Sequence, residues 1–284
     1  MKKYHRYWIA YRKGGKGDFQ IIEPPPYGWT ADPFLVEYKG EIYLFAEIFL
    51  YKSERNGKIG YCKYKDGSFG DWEISMDKHW HLSYPNVFVR DDKLYMVPES
   101  YQLEEVAVYE LIEFPDRWKK VKTLIDNVEY CDSTFMEYEE KHYMFTYERN
   151  IDRNKDKGVI YQIVDGKLGE KRIVSTSQEG ARAAGNIIVD GDKYLRVAQN
   201  GVPVYGSGII LYEIDSVWPH YKEHEIKRLK PKDFNPEWEN NYIGCHTYNR
   251  LGELEVIDLL GLCEDKEEEE AIKHTQKVFV NKYR

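Results

Sequence analysis

The sequence predicts an all-β protein, a single five-bladed β-propeller in which strands from the N-terminus complete the last blade. Three observations support this prediction. A strand pattern recurs at intervals of 48 to 52 residues, strand-forming aromatic residues are abundant (25 Tyr and 7 Trp), and the N-terminal region matches the half that the last repeat lacks. About fifty residues in four strands is the size of one propeller blade.

Each of the first four repeats begins with a strand–turn–strand hairpin that keeps a constant register. A residue near the start of the first strand lies eleven positions before a tyrosine in the second strand. The four pairs are Asp32 with Tyr43, Tyr84 with Tyr95, Asp132 with Tyr143, and Ala183 with Tyr194. A third strand that ends in tyrosine and a more polar fourth strand complete each repeat.

The fifth repeat is split between the two ends of the chain. It opens at Gly244 and continues to Asp258, and its third and fourth strands are not obvious downstream. Residues 8–11 and 19–22 have the character of those strands, so we expect them to close the ring and remove its open sheet edges. The acidic tail, 264–284, is expected to be a solvated helix or loop. The predicted blades span about 29–76, 81–126, 130–175, 181–230, and 243–260 together with 6–23.

Composition and charge exclude several classes of protein. The net charge of −8 argues against a nucleic-acid partner, which favours a basic surface. No apolar stretch of signal-peptide length follows the N-terminus, and no run approaches the roughly 20 apolar residues of a membrane-spanning helix. The four cysteines lack metal-type spacing, so we expect reduced thiols in a cytoplasmic protein.

The strand register gathers polar residues at one end of the central channel, which we call the mouth. The first strand of each blade lines the channel, and the end of the second strand returns to the same mouth. Such a set of polar side chains is costly to bury without ligand or water. The residues expected there are Asp32, Glu47, Tyr84, Glu99, Asp132, Glu148, Arg149, Arg182, Gln199 and His246.

The residue types at the mouth indicate chemistry on sugars. Two carboxylates from different blades suit acid–base or nucleophilic work on an acetal carbon, whose transition state is cationic. Arg149 and Arg182 suit a phosphate or carboxylate on the ligand. Three roles are open for His246: a general acid or base, a metal ligand, or a channel residue that holds water. No zinc pattern, phosphate-binding glycine loop or serine nucleophile elbow is present, so no metal ligand is assigned and a divalent cation is left open.

The segment Ala31-Asp32-Pro33 and the aspartate that opens the third repeat resemble the five-bladed propeller glycosidases of glycoside hydrolase families 43 and 32. The resemblance implies that Asp32 and Asp132 are catalytic carboxylates. In those families a glutamate that opens blade four is the general acid, whereas this sequence has Arg182 there. An ordinary hydrolytic mechanism of that type is therefore not expected.

A larger set of segments resembles the N-terminal propeller domain of plant glucosamine inositolphosphorylceramide transferase and its bacterial relatives. This resemblance implies a setting in glycan or glycolipid assembly, and it adds Tyr205 to the candidate binding residues. The segments begin at Ala31, His81, Tyr95, Phe114, Arg182, Arg196, Tyr205 and His246.

Three functions are consistent with these residues. We favour an enzyme of glycosyl transfer from a phosphorylated or nucleotide-sugar donor, and the alternatives are a glycoside hydrolase with a relocated acid and a non-catalytic glycan-binding propeller. In the favoured function Asp32 is the base or nucleophile, Asp132 tunes charge or holds sugar hydroxyls, and Glu99 or Glu148 donates a proton. Arg182 holds the donor phosphate. The substrate-binding candidates are Glu47, Tyr84, Arg149, Arg182, Gln199, Tyr205 and His246.

Overall fold

A computed structural model of the chain describes residues 3–15, 17–51, 57–152 and 155–282. Within these residues the chain forms five small antiparallel sheets arranged in a ring. This arrangement confirms the predicted fold, a five-bladed β-propeller whose last blade includes the N-terminal strands.

The first two strands of the chain belong to the last blade, and blades 1 to 3 follow them. These two strands are β1 (Lys3–Lys13) and β2 (Gln20–Ile22). Blade 1 contains β3 (Gly28–Tyr38), β4 (Glu41–Leu50), β5 (Gly57–Lys65), β6 (Ser68–Phe69) and β7 (Glu73–Met76). Blade 2 contains β8 (Ser83–Arg90), β9 (Lys93–Glu99), β10 (Glu105–Glu113) and β11 (Arg117–Asp126). Blade 3 contains β12 (Tyr130–Tyr138), β13 (Lys141–Glu148), β14 (Lys157–Val164) and β15 (Lys167–Ser175).

Blades 4 and 5 have shorter, interrupted inner strands. Blade 4 contains β16 (Glu179–Ala183), β17 (Ile188–Asp190), β18 (Lys193–Asn200), β19 (Gly208–Ser216) and β20 (Lys222–Leu229). Blade 5 adds β21 (Tyr242–Gly244), β22 (Tyr248–Leu251) and β23 (Leu254–Glu264) to the two N-terminal strands.

The ring closes where the two ends of the chain pair. Strand β1 runs antiparallel to β23 over eleven residue pairs, from Lys3 opposite Glu264 to Lys13 opposite Leu254. Strand β2 then covers the other side of β1. One blade is thus assembled from both termini, and the ring has no open seam at this point.

Tight turns set the register of the hairpins that carry the polar residues. In blade 2 the turn uses Asp91 and Asp92, with φ angles of 50° and 59°, and in blade 3 it uses Glu139 and Glu140, at 49° and 60°. Two consecutive left-handed residues give the turn type whose twist matches that of paired strands.

Hydrophobic cores lie between neighbouring blades. Phe34 and Ile59 of blade 1 pack with Tyr84 and Met96 of blade 2, and each of these side chains is almost fully buried. On the other side of blade 1, its Leu44 packs with Ile9 of the N-terminal strand. The alternating pattern of the strands therefore serves inter-blade packing, with sheets facing sheets around the ring.

Helices are few among the described residues. Single turns of 3-10 helix occur at Tyr101–Leu103 and Pro236–Asn240, and the α-helices are α1 (Pro231–Phe234) and α2 (Asp265–Lys282). In the described part of the chain, no helix combines the length and apolar character needed to cross a membrane. All four cysteines are buried, and none forms a disulfide with another.

Candidate active site at the channel mouth

A bulge at the same place in three inner strands directs side chains to the channel axis. Asp32, Tyr84 and Asp132 have left-handed backbones, with φ angles of 52°, 42° and 52°. Left-handed residues other than glycine are uncommon, and a bulge turns a side chain out of the alternating pattern. The register shifts fall between Ala31 and Phe34, Ser83 and Asn86, and Cys131 and Thr134.

Asp258 of β23 is the most deeply buried carboxylate of the mouth, with no exposed surface. It accepts hydrogen bonds from three backbone N–H groups: those of Asp32 at 3.2 Å, His246 at 2.8 Å and Thr247 at 3.0 Å. Asp258 therefore holds the inner strands of blades 1 and 5 together. Sequence reasoning did not select it, although a single carboxylate within the apolar run 256–260 was an available signal.

His246 lies between two buried carboxylates. Its Nδ1 is 2.6 Å from Oδ2 of Asp258, and its Nε2 is 3.4 Å from Oδ1 of Asp32. Burial opposes protonation of the imidazole, but the two aspartates outweigh it and raise the pKa of His246 to about 9. Burial raises the pKa of Asp32 to about 6, against the opposing effect of His246. At neutral pH the pair is therefore an imidazolium beside an ionised Asp32.

The same three side chains have the chemistry of metal ligands. One ligand atom from each of Asp32, His246 and Asp258 lies within 4.8 Å of the others. However, both imidazole nitrogens face carboxylates, and a cation bound there would displace the proton of His246. This geometry gives His246 a role that was not among the three left open by the sequence: a charged residue that bridges Asp32 and Asp258.

Arg182 faces carboxylates from two other blades. Its Nε and Nη2 donate to both oxygens of Asp132, and Nη2 also donates to Oε2 of Glu99 at 3.2 Å. Gln199 donates to Oδ2 of Asp132 at 3.0 Å. The charge of Arg182 is thus engaged by protein groups, which limits the donors it offers to a phosphate.

Glu47 and Glu99 are buried acids whose surroundings favour the protonated form. Burial and the neighbouring Asp132 raise the pKa of Glu99 well above its usual value, and burial and Asp32 do the same for Glu47. Oε1 of Glu47 lies 3.6 Å from Nε2 of His81. Burial lowers the pKa of His81 to about 4, with smaller contributions from Arg182 and Lys58, so this imidazole is neutral and supplies no compensating charge.

These carboxylates form the base of the mouth, which we call the carboxylate floor: Asp32, Glu47, Glu99, Asp132 and Asp258. Each of the five is less than one-tenth exposed. If all were ionised, Arg182 and His246 would leave three negative charges uncompensated among these seven groups. Retaining protons on Glu47 and Glu99 removes most of this excess, because an unpaired buried charge is costly.

Aromatic and imidazole rings follow one another around the floor, and we call this arc the aromatic rim. The rings in order are Tyr205, His246, Tyr7, Trp29, Phe49, His81 and Tyr101. Successive ring centroids are separated by 5.3, 4.4, 5.7, 4.7, 6.4 and 6.3 Å. Tyr7, Trp29 and Tyr101 were not selected from the sequence. Tyr7 lies within β1, Trp29 near the start of β3 and Tyr101 in a turn of 3-10 helix, and the register of the repeat marks none of these positions.

A pocket of about 310 Å³ opens on the floor between blades 2, 3 and 4. Arg149 lies on its outer side, with its guanidinium carbon 4.7 Å from the ring centroid of Tyr101. The pocket is lined by Glu99, Tyr101, Cys131, Tyr147, Arg149, Asp156 and Arg182. It is the place in the mouth where a ligand would contact both an acid of the floor and an arginine.

Two candidates lie apart from the carboxylate floor. Glu148 pairs with Lys171 at 2.9 Å and with Lys157 at 3.8 Å. Tyr84 is fully buried, and its hydroxyl contacts Thr134 at 2.8 Å and accepts from the backbone N–H of Gly185 at 2.8 Å. Tyr84 therefore links three blades beneath the mouth.

Fold and site together define a class of protein: a five-bladed β-propeller with buried acids beneath an aromatic rim. The sequence profile of the family described as glucosamine inositolphosphorylceramide transferase 1, N-terminal, matches residues 23–250. The chain belongs to this family.

The curated relatives of this chain are plant proteins named glucosamine inositolphosphorylceramide transferase 1. The protein of Oryza sativa subsp. indica is 30% identical over 212 residues, which is 70% of this chain and 28% of the relative. The Arabidopsis thaliana protein is 30% identical over 216 residues, which is 71% of this chain and 28% of the relative. The chain thus aligns with little more than a quarter of these longer proteins.

Solved structures of glycoside hydrolases share the fold. A thermostable family-43 enzyme superposes with a TM-score of 0.59 at 15% identity, covering 82% of this chain and 88% of that one. A family-43 β-xylosidase/α-arabinofuranosidase from a compost metagenome has the same TM-score at 12% identity, covering 89% and 94%. The family-32 β-fructofuranosidase of Bombyx mori reaches 0.56 at 10% identity, covering 74% and 53%. At these identities the likeness concerns the fold alone.

Proposed function

We propose that the mouth binds a sugar and transfers it from a phosphorylated or nucleotide-linked donor to an acceptor. One observation carries this proposal: the floor gathers buried carboxyl groups from different blades whose surroundings raise their pKa values to different extents. Asp32, whose pKa is about 6, is ionised at neutral pH. Burial raises the pKa of Glu99 well above its usual value, which favours its protonated form. Two carboxyl groups whose environments separate their pKa values are the pattern of an acid–base pair.

The aromatic rim is suited to binding the sugar. Ring faces provide rigid apolar surface for the apolar faces of a pyranose, while polar groups beneath them bind hydroxyls. Trp29 and Phe49 stack with centroids 4.7 Å apart and an interplanar angle of 13°. Tyr205 is about half exposed, at 48%, and is available to a ligand.

The proposed step breaks the bond between the anomeric carbon and the leaving oxygen. Glu99 gives its proton to that oxygen, and the hydroxyl of the acceptor forms the new bond as its proton passes to Asp32. Asp132, fixed by Arg182 and Gln199, supplies negative charge near the cationic transition state.

The family supports this proposal. The family and the plant relatives carry the name glucosamine inositolphosphorylceramide transferase 1. The chain covers 28% of those relatives, and we propose that it shares their type of activity. Assembly of a glycan or glycolipid is the corresponding setting.

The test is consumption of a panel of nucleotide sugars and sugar phosphates, with and without sugar or inositol-phosphate acceptors. We expect acceptor-dependent release of nucleotide or phosphate. Asp32→Asn and Glu99→Gln should lower it by about 100-fold or more, the size of a lost general acid or base. Glu148→Gln should retain it, because Glu148 is engaged by two lysines.

Three results would contradict the proposal. Release of free sugar regardless of acceptor would indicate hydrolysis. Sugar binding without consumption of any donor would indicate a binding protein. Full activity of both Asp32→Asn and Glu99→Gln, verified as folded by circular dichroism, would remove these residues from the chemistry.

A further inference from the structure

We propose that Arg149 recognises a singly charged oxyanion on the sugar ligand, a phosphodiester or a carboxylate, in the pocket beside Glu99. This inference rests on the proposed function, because it concerns the ligand of the same mouth. It assigns the anion-binding role to Arg149 rather than to Arg182, and it narrows the class of ligand.

The two arginines differ in how closely carboxylates of the protein bind their guanidinium groups. Arg182 donates to both oxygens of Asp132 and to Glu99. Among the described residues, the nearest carboxylate to the Arg149 guanidinium is Glu129, with Nε and Oε2 4.0 Å apart. That separation is beyond hydrogen-bond range, and the Glu129 side chain is 49% exposed. The N–H groups of Arg149 are thus the ones available to a ligand.

The geometry of Arg149 leaves its donors accessible. Its guanidinium lies over the face of Tyr101, with the carbon 4.7 Å from the ring centroid, and its side chain is 21% exposed. Stacking on a ring occupies the face of the guanidinium and leaves its edge, which carries the donors, free to meet a planar anion. Bidentate contact with a carboxylate or phosphate is the interaction that this edge suits.

The charge of the pocket lining favours a monoanion. The charged side chains of the lining are those of Arg149, Arg182 and Asp156, and burial favours the protonated form of Glu99, so the lining has one more positive than negative charge. Asp156 accepts from the hydroxyl of Tyr147 at 2.9 Å and from the backbone N–H of Asn150 at 2.6 Å. A group with one negative charge matches this single surplus positive charge, so it fits better than the dianion of a phosphomonoester.

The test compares four ligands that share one sugar: a neutral methyl glycoside, its uronate, a glycosyl methyl phosphodiester and a sugar phosphomonoester. Affinity is measured by calorimetry for the wild type, Arg149→Gln and Arg149→Lys. In the wild type we expect the uronate, the phosphodiester or both to bind at least about tenfold more tightly than the neutral glycoside, the scale of one charge-assisted contact. Arg149→Gln should abolish this preference, and Arg149→Lys should restore part of it. The neutral glycoside should bind all three proteins alike.

Arg172→Gln is the matched control. Arg172 also lies over a ring, 4.4 Å from the centroid of Trp218, but it is on the exposed side of blade 3, away from the pocket. We expect this variant to keep the anionic preference. Comparison of the uronate with the phosphodiester also shows whether the pocket binds a carboxylate, a phosphodiester or both.

An anionic preference that persists in Arg149→Gln would overturn the inference, as would a wild type that binds neither anion better than the neutral glycoside. Tighter binding of the phosphomonoester than of both monoanions would refute the charge argument. These outcomes are separate from failure of the proposed function. If Arg149→Gln loses the anionic preference but the wild type consumes no donor, the inference stands and transfer is refuted. If the wild type consumes donor but Arg149→Gln keeps the anionic preference, transfer stands and the inference is refuted.

Discussion

Asp258 holds His246 from two sides: its Oδ2 lies 2.6 Å from the imidazole Nδ1, and its Oδ1 accepts the backbone N–H of the same residue at 2.8 Å. Asp258 lies on β23, the strand with which the N-terminal β1 pairs. Closure of the ring and construction of the mouth therefore depend on the same strand.

The first prediction concerns the dependence of stability on pH. The folded pKa of His246 is raised to about 9 from an ordinary value of 6.5, so its contribution is complete below pH 6.5 and is lost as the pH rises through 9. Over that window the free energy of unfolding should fall by up to about 3 kcal/mol, since one pKa unit corresponds to about 1.4 kcal/mol. Asp32 titrates near pH 6 and changes charge below the window.

Urea unfolding at a series of pH values measures this effect, and His246→Gln should flatten the slope above pH 6.5. The control is His224→Gln, which removes an exposed histidine that lies 2.9 Å from Asp215. An unchanged slope in His246→Gln would refute the bridging role of this imidazolium.

The second prediction concerns Asp258. In Asp258→Asn the amide can accept from only one side, and the three backbone donors and the imidazolium lose their anion. We expect a loss of about 3–5 kcal/mol, the range for breaking a buried ion pair. Asp215→Asn, in the exposed pair with His224, should cost less than about 1 kcal/mol. Equal losses measured by denaturant titration would contradict the structural role assigned to Asp258.

The third prediction concerns closure of the ring by β1. Ile9 is fully buried in the core between blades 5 and 1. Ile9→Ala should cost about 2–5 kcal/mol through lost burial and the cavity left behind. Ile21→Ala, at a position on β2 that is 39% exposed, should cost about 1 kcal/mol or less. If thermal unfolding shows equal effects, the N-terminal strands are not an integral part of the core.

The fourth prediction concerns Gly185, the last residue of the Arg182-Ala183-Ala184-Gly185 segment. Its φ of 142° is strained for other residues, and a Cβ atom there would overlap the carbonyl oxygen of Tyr248. Gly185→Ala should therefore lose about 3 kcal/mol or fail to fold. Gly191→Ala has open space around its Cβ and only an unfavourable φ of 64°, so about 1 kcal/mol is expected. A stable Gly185→Ala protein would contradict this packing.

The sequence was sufficient for the fold because the repeat has a strict register. The offset from Asp32 to Tyr43 recurs from Asp132 to Tyr143, and it identified the inner strands without any structural information. The N-terminal strands could be assigned to the last blade for the same reason, since an incomplete repeat requires its missing half.

The site was less accessible from sequence because contacts between blades set its chemistry. Register placed Arg182 near the mouth, but its engagement by Asp132 and Glu99 depends on how three blades meet. The left-handed backbones at Asp32 and Asp132 likewise follow from bulges that no periodicity reveals.

The most direct test of the central claim is the pH dependence of donor consumption, measured as kcat/KM between about pH 4 and 10, where the limbs report the essential acid and base. We predict that kcat/KM rises through pH 6 as Asp32 ionises and falls at higher pH as Glu99 loses its proton. Glu99→Gln should lose the alkaline limb together with most of the activity. A profile without a limb near pH 6, or one that is identical in wild type and Glu99→Gln, would contradict the assignment of these two carboxyl groups as base and acid.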